Sequence, residues 1–269
     1  MALHEDEVPE RANGRLLTRR DALRLAVAGV AAGVIDGCRS TPSTDAPRSV
    51  AGRLVSRPSA PRDSPLTGRS SLGLAYGRDG ILYVPSSYNP NSPAPLVLML
   101  HGAGQSSEIG IHPFLALADA AGLVLLAPDS RGGTWDFLYG PYGADVAFID
   151  RALTHTFERC AIDASRITIE GFSDGGSYAL SLGLTNGDLF SRIVAFSPCI
   201  LAPAATVGRP RIFMSHGTQD HILPIESCGR PLAKRLVALG YQLDFHEFAG
   251  PHMVPKEMAQ AAVAWMGSA

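Results

Sequence analysis

Six residues, Gly171-Phe172-Ser173-Asp174-Gly175-Gly176, constrain this chain more than any other stretch, because a strand-like run leads into them and a helix-like run leads out. Arg166 to Glu170 (R-I-T-I-E) is rich in β-branched residues, while Ser177 to Leu184 is a run of small residues and leucine suited to a close-packed helix. A strand that passes directly into a helix must turn sharply. Bulky side chains two positions either side of Ser173 would strike neighbouring backbone, and glycine stands at both places. The pattern predicts a tight turn that lifts the Ser173 hydroxyl clear of a sheet.

The chain has 269 residues and a formal net charge of -2, so one α/β domain plus a tail is the economical reading. Nothing in so even a charge balance calls for nucleic acid or an anionic membrane surface as a partner. Residues 1–38 are read as an export signal and set apart from the fold. Thr18-Arg19-Arg20-Asp21-Ala22-Leu23-Arg24 resembles a twin-arginine export motif, with Ala22 where an aromatic is usual, and Leu25 to Ile35 is weakly apolar. Ile35-Asp36-Gly37-Cys38 resembles a lipoprotein processing site, from which Asp36 departs. Lipidation of Cys38 would attach the exported protein to a membrane; an ordinary buried helix with an incidental arginine pair is the alternative.

Residues 39–70 are crowded with Pro, Ser, Thr and Arg, the composition of a disordered linker, which leaves 71–269 as the folded domain. Beyond the N-terminal region no apolar run is long enough to span a bilayer. Besides Cys38 the chain has Cys160, Cys199 and Cys228; a Cys199–Cys228 bridge and three reduced thiols are both compatible with their positions.

Ser71 to Tyr76 and Ile81 to Val84, separated by Gly77-Arg78-Asp79-Gly80, predict an antiparallel hairpin at a sheet edge. Leu96 to Leu100 and Leu123 to Ala127 are continuous apolar runs, as expected of strands covered on both faces. Helices are expected at 114–121, 145–157, 229–239 and 255–266, and further strands at 192–196, 211–215 and 242–248. Alternating strands and helices predict an α/β fold with a mostly parallel, doubly wound sheet and helices on both faces. Ligands of such sheets bind beyond the carboxyl ends of the strands.

A serine hydroxyl is a poor nucleophile unless a base takes its proton, and the base needs an orienting partner. The best base is His252, in Gly250-Pro251-His252 between the last strand and the last helix. The best orienter is Asp220, in His216-Gly217-Thr218-Gln219-Asp220 directly after a strand. His216, His221 and His246 have blander roles available at strand ends and in loops; Asp244 lies within a strand pattern, and Asp129 is the runner-up acid. Donors for a developing oxyanion are expected from the Asp174 N–H and from the Ala103 N–H, with Gly102 as the alternative. No metal-ligand spacing and no dinucleotide glycine fingerprint occur, so no cofactor is implied.

Four motifs carry a resemblance: Leu100-His101-Gly102-Ala103-Gly104, Gly171 to Gly176, Ser215 to Asp220 and Gly250-Pro251-His252. From about Ser71 to Met266 the chain resembles the α/β-hydrolase superfamily, and within it the phospholipase/carboxylesterases and polyhydroxybutyrate-depolymerase-like esterases. That resemblance implies a serine hydrolase that cleaves small-molecule or lipid-like carboxylic esters through an acyl-enzyme. A peptidase or amidase and an inactive binding protein of the same fold are the alternatives. The short spacing from Ser173 to Asp220 leaves no room for a large lid domain. Asp174 stands where related thioesterases often carry Gln or Ala, and an acid there disfavours anionic acyl groups. Trp135, Phe137, Tyr139 and Tyr142 would form either an aromatic wall for the substrate or a loop that merely packs on the domain. The motifs encode neither the acyl chain length nor the oligomeric state.

Overall fold

The strand that leads into Ser173 is the longest among the described residues, and the rest of the sheet is laid out around it. The computed structural model describes residues 51–63 and 65–267. Its strands are β1 (Gly68–Ser71), β2 (Gly80–Val84), β3 (Ala94–Leu100), β4 (Val124–Pro128), β5 (Ile162–Phe172), β6 (Arg192–Phe196), β7 (Arg211–Gly217) and β8 (Leu243–Phe248). They form one sheet in the order β1-β2-β4-β3-β5-β6-β7-β8. β1 and β2 pair antiparallel at one edge, β2 joins β4 antiparallel, and every later pairing is parallel.

The crossover segments supply the helices α1 (His112–Ala121), α2 (Ala144–Phe157), α3 (Asp174–Thr185) and α4 (Gly229–Ala238), and α5 (Lys256–Gly267) follows the last strand. Alternation along β3 and β5 divides the core into two layers. Leu96, Leu98, Leu100, Ile167 and Ile169 pack with α2, α3 and α4, while Val97 and Met99, with Val194 and Phe196 of β6, pack with α1 and α5. The doubly wound arrangement read from the sequence is therefore the observed one. Because β3 and β5 to β8 run parallel, their carboxyl ends share one edge of the sheet, with Leu100 opposite Gly171 and Phe172 opposite Phe196.

Two expectations about the amino-terminal part of the domain need correction. The first strand is Gly68–Ser71 rather than Ser71 to Tyr76. The Asp79 carboxylate accepts the Ser71 hydroxyl and the N–H groups of Gly73, Leu74 and Ala75 at 2.7–3.0 Å, and so bends that stretch into a loop. The disordered linker expected over 39–70 is not what its second half forms. Leu54 is buried and its N–H donates to Asn186 Oδ1 at 2.8 Å; Asn186 Nδ2 in turn donates to the Gly52 carbonyl. Arg53 and Arg57 both bind the Asp188 carboxylate, at 2.7 and 2.5 Å. Composition could not show this, since the partners lie some 130 residues downstream. The domain therefore includes residues 51–57, ahead of the boundary expected at 71; the export motif and Cys38 lie outside the described residues.

Cys199 and Cys228 are disulfide-bonded, and Cys160 is a free, buried thiol. Among the described residues no helix is long and apolar enough to cross a membrane.

Candidate active site

Ser173 sits at φ 58° and ψ -119°, a conformation that costs a non-glycine residue roughly 1–3 kcal/mol. The surrounding backbone enforces it. The Ser173 N–H donates to the Phe196 carbonyl at 2.8 Å, which anchors the turn to β6. A Cβ on Gly171 would lie 2.2 Å from the Gly175 carbonyl oxygen, and one on Gly175 would lie 2.1 Å from the Leu100 carbonyl oxygen. Only glycine at both positions lets β5, the turn and α3 pack this closely. The hydroxyl of Ser173 is thereby held beyond the carboxyl end of β5, at the amino terminus of α3.

Asp220 follows β7 and His252 follows β8, and their two loops are clamped together. Thr218 N–H donates to the Phe248 carbonyl at 2.8 Å and Gln219 N–H to the Gly250 carbonyl at 3.0 Å. Parallel neighbouring strands thus bring together residues far apart in the chain. His252 Nδ1 lies 2.6 Å from Asp220 Oδ2, and His252 Nε2 lies 2.9 Å from Ser173 Oγ. A carboxylate can only accept, so the imidazole proton sits on Nδ1 and the lone pair of Nε2 faces the serine hydroxyl. Asp220 itself is buried, and its Oδ1 accepts the N–H groups of Ile222 and Leu223 at 2.9 and 2.8 Å. The Phe172 ring lies 4.7 Å from the imidazole, centroid to centroid.

Beside the serine, the loop after β3 is held rigid. Buried His101 keeps Nδ1 against the Gly102 carbonyl at 2.8 Å, while its Nε2 accepts the Ser130 N–H at 3.0 Å. Burial pushes its pKa below the ordinary histidine value, in keeping with a neutral ring that serves as a brace. Gly104 N–H donates to the Gly133 carbonyl at 2.6 Å, and Gly102 N–H donates to Gln105 Oε1 at 3.1 Å. Gly102 is therefore already engaged. No hydrogen bond from the described residues takes up the N–H of Ala103 or of Asp174. The Asp174 carboxylate is turned aside to accept the Thr134 hydroxyl at 2.9 Å.

A family model described as phospholipase/carboxylesterase matches residues 146–266. A bifunctional acetylxylan esterase/xylanase of Neocallimastix patriciarum is 34% identical over 155 residues, which are 55% of this chain and 22% of that protein. A probable feruloyl esterase C of Aspergillus flavus is 29% identical over 169 residues, 60% of this chain and 61% of its own. The chain thus spans about three fifths or less of the curated relatives it matches here. Among solved structures, esterase PE8 superposes with a TM-score of 0.58 at 21% identity, over 70% of this chain and 96% of that one. A ferulic acid esterase of Anaeromyces mucronatus, solved with ferulic acid, gives 0.53 at 15% identity over 82% and 95%. The chain has the α/β-hydrolase fold.

Trp135, Phe137 and Tyr142 of the aromatic loop take the packing alternative. Trp135, expected as a pocket wall, is fully buried, donates its indole N–H to the His101 carbonyl at 2.9 Å and stacks on Tyr178. Tyr142 stacks on Phe137 and donates to the Ala202 carbonyl, and Tyr139 is 80% exposed. The loop is organised from below by two carboxylates. Asp145 accepts the N–H groups of Arg131 and Asp136, while Asp136 accepts those of Gly143 and Asp145 and the Tyr178 hydroxyl. Asp129, the runner-up acid, is spent on the N–H groups of Ser107 and Asp79 and lies outside the triad geometry.

Two residues near the candidate site carried little weight in the motifs. His216 is fully buried behind Asp220, its Nε2 2.7 Å from the Leu223 carbonyl and 3.3 Å from Asp220 Oδ2. It lies in the same H-G-x-x-D string as Asp220, which was the available signal. Glu170 is a buried acid three residues before the serine, in a strand whose alternation puts it on the face shared with Thr168. A charged residue at a core position was its signal. Among the described residues no group of three or more His, Cys, Asp or Glu side chains could hold a metal ion.

Proposed function

We propose that this protein of α/β-hydrolase fold is a serine esterase that cleaves carboxylic esters through an acyl-enzyme. The observation that carries the proposal is the continuous chain Asp220 Oδ2 to His252 (2.6 Å) to Ser173 Oγ (2.9 Å), ending at a strained turn. Ser173 Oγ attacks the ester carbonyl as its proton passes to His252 Nε2, and the Asp220 carboxylate stabilises the imidazolium. The N–H groups of Ala103 and Asp174 are the donors for the oxyanion, and both are uncommitted among the described residues. Collapse of the tetrahedral intermediate breaks the bond to the alcohol oxygen, which leaves with the proton held on Nε2. Water then repeats the sequence on the acyl-enzyme, with His252 again as base, and frees Ser173.

The names of the relatives, acetylxylan and feruloyl esterases, support acetyl or aryl-acyl esters as the first substrates to try. Export is part of the proposal. The twin-arginine-like Thr18 to Arg24 supports it, and so does the Cys199–Cys228 disulfide, a bond that persists in oxidising compartments. Lipidation of Cys38 would tether the domain to the envelope.

The test is hydrolysis of nitrophenyl acetate and of longer nitrophenyl esters by the wild-type protein and by Ser173→Ala, together with fluorophosphonate labelling. Turnover and labelling that both vanish in Ser173→Ala are expected. A wild-type protein that is folded, yet neither turns over any of these esters nor labels at Ser173, would sink the proposal in favour of an inactive member of the superfamily.

A further inference from the structure

β5, which ends at the serine, also carries a second buried acid. Glu170 is 1% exposed, and among the described residues no hydrogen bond or ion pair reaches its carboxyl group; Oε2 is enclosed with no partner. Burial, with nothing to offset it, pushes its pKa well above the usual carboxylate range. Enclosure without a counter-charge favours the neutral carboxyl group, with one O–H to donate and a carbonyl oxygen to accept. Leaving such a pair unmet in a protein interior is costly, and buried polar groups nearly always have partners.

Glu170 lines a cavity of ≈ 500 Å³ whose walls are otherwise largely apolar, among them Leu100, Ile109, Leu117, Phe172 and Val254. The other titratable groups on the lining are His101, His112, His252 and Lys256, and none of them is hydrogen-bonded to Glu170. Of the three triad residues only His252 borders this cavity. That fact assigns a direction. His252 delivers its proton to the departing oxygen, so the ester arm nearest to it, in a cavity it helps to form, is the alcohol arm.

We propose that the cavity is the subsite for the leaving alcohol and that Glu170 recognises a hydroxyl at the far end of an apolar, aryl-sized alcohol. The assignment to the alcohol rests on the esterase reading above. A hydroxyl suits the site chemically, because it can donate to the Glu170 carbonyl oxygen while accepting from the acid O–H, so that both groups are met at once. An anionic tip would lose its hydration without gaining a counter-charge, and a cationic tip would require the acid to ionise where it is least able to.

The experiment compares two acetate esters that differ only by hydroxyl against methyl, 2-(4-hydroxyphenyl)ethyl acetate and 2-(4-methylphenyl)ethyl acetate. The proteins are wild type, Glu170→Met and Glu170→Gln. The readout is the ratio of kcat/KM for the two esters within each protein, so a variant with lower overall activity still reports. A preference for the hydroxyl ester of about tenfold or more is expected in wild type, as a site built to bond a hydroxyl discriminates against its absence. It should fall towards unity in Glu170→Met and return in Glu170→Gln, which is neutral and can still donate and accept. A wild-type ratio near unity, or one that Glu170→Met leaves unchanged, overturns the proposal. Discrimination that instead appears between methyl 4-hydroxycinnamate and methyl 4-methylcinnamate, and is lost in Glu170→Met, overturns the alcohol assignment. Calorimetric binding of the two free alcohols to the same three proteins separates the two readings: no ester turnover with a Glu170-dependent preference in Kd removes the esterase reading, whereas no preference in either assay removes the role of Glu170.

Discussion

Replacing Asp220 by asparagine changes the shape of the site very little, and the hydrogen bonds around it predict that turnover is nonetheless lost. Oδ1 accepts two backbone N–H groups, from Ile222 at 2.9 Å and Leu223 at 2.8 Å, while Oδ2 faces His252 Nδ1 at 2.6 Å. An asparagine has one acceptor oxygen and one NH2. With the oxygen left on the two backbone donors, the NH2 faces His252 Nδ1. That ring must then accept at Nδ1 and carry its proton on Nε2, so Ser173 meets a donor instead of a base. The flipped amide would restore the contact to His252 but oppose two N–H groups, at about 1–3 kcal/mol for each lost partner. The unflipped amide keeps both backbone donors satisfied and donates to Nδ1, so the inactive orientation prevails. We expect kcat/KM for nitrophenyl acetate to fall about 10⁴-fold, or roughly 5.4 kcal/mol in barrier, with little change in unfolding temperature. The assay is run across about pH 6 to 10 alongside fluorophosphonate labelling. A folded Asp220→Asn protein that keeps more than about a tenth of the wild-type rate would refute this reasoning.

Further outcomes follow from the same contacts. Gly175→Ala would put a methyl group 2.1 Å from the Leu100 carbonyl oxygen, so a loss of roughly 3 kcal/mol in urea unfolding, or failure to accumulate, is expected; a loss under about 1 kcal/mol would show that the turn can relax. The Cys199–Cys228 bond closes a loop with a sequence separation of 29, for which chain entropy gives about 3.6 kcal/mol. Cys228→Ser should approach that loss in denaturant titrations and should remove the sensitivity of the midpoint to reductant. The arginines at positions 53 and 57 hold the Asp188 carboxyl down at about 2 against an ordinary 3.8. A depressed acid contributes stability that is present above its unfolded value and lost as pH falls through its folded one. Wild-type stability should therefore decline between about pH 4 and 2, and Asp188→Asn should flatten that decline while lowering stability at neutral pH; an unaltered acid limb would count against the clasp.

The features legible in the sequence were those encoded by neighbours along the chain. Apolar runs with glycine and proline at their ends marked the strands from Leu96 onward, and the glycines around Ser173 could be read as a tight turn because the clash they avoid is local. Ser173, Asp220 and His252 could be singled out because each closes a strand, and parallel strands deliver their carboxyl ends to one edge. What could not be read was anything settled by partners distant in sequence. Residues 51–57 have a linker's composition, yet Asn186 and Asp188 hold them. Trp135 looked as suited to a pocket as to a core, and the His101 carbonyl and the Tyr178 ring decided for the core. Glu170 counted only as the last residue of a strand-like run, and the sheet encloses it on the lining of a cavity that His252 also borders. Backbone geometry depends on adjacent residues and is written locally, whereas burial and hydrogen-bond partners are properties of the assembled fold; for this chain, sequence alone determined the turn that presents the serine, and tertiary structure alone decided what surrounds it.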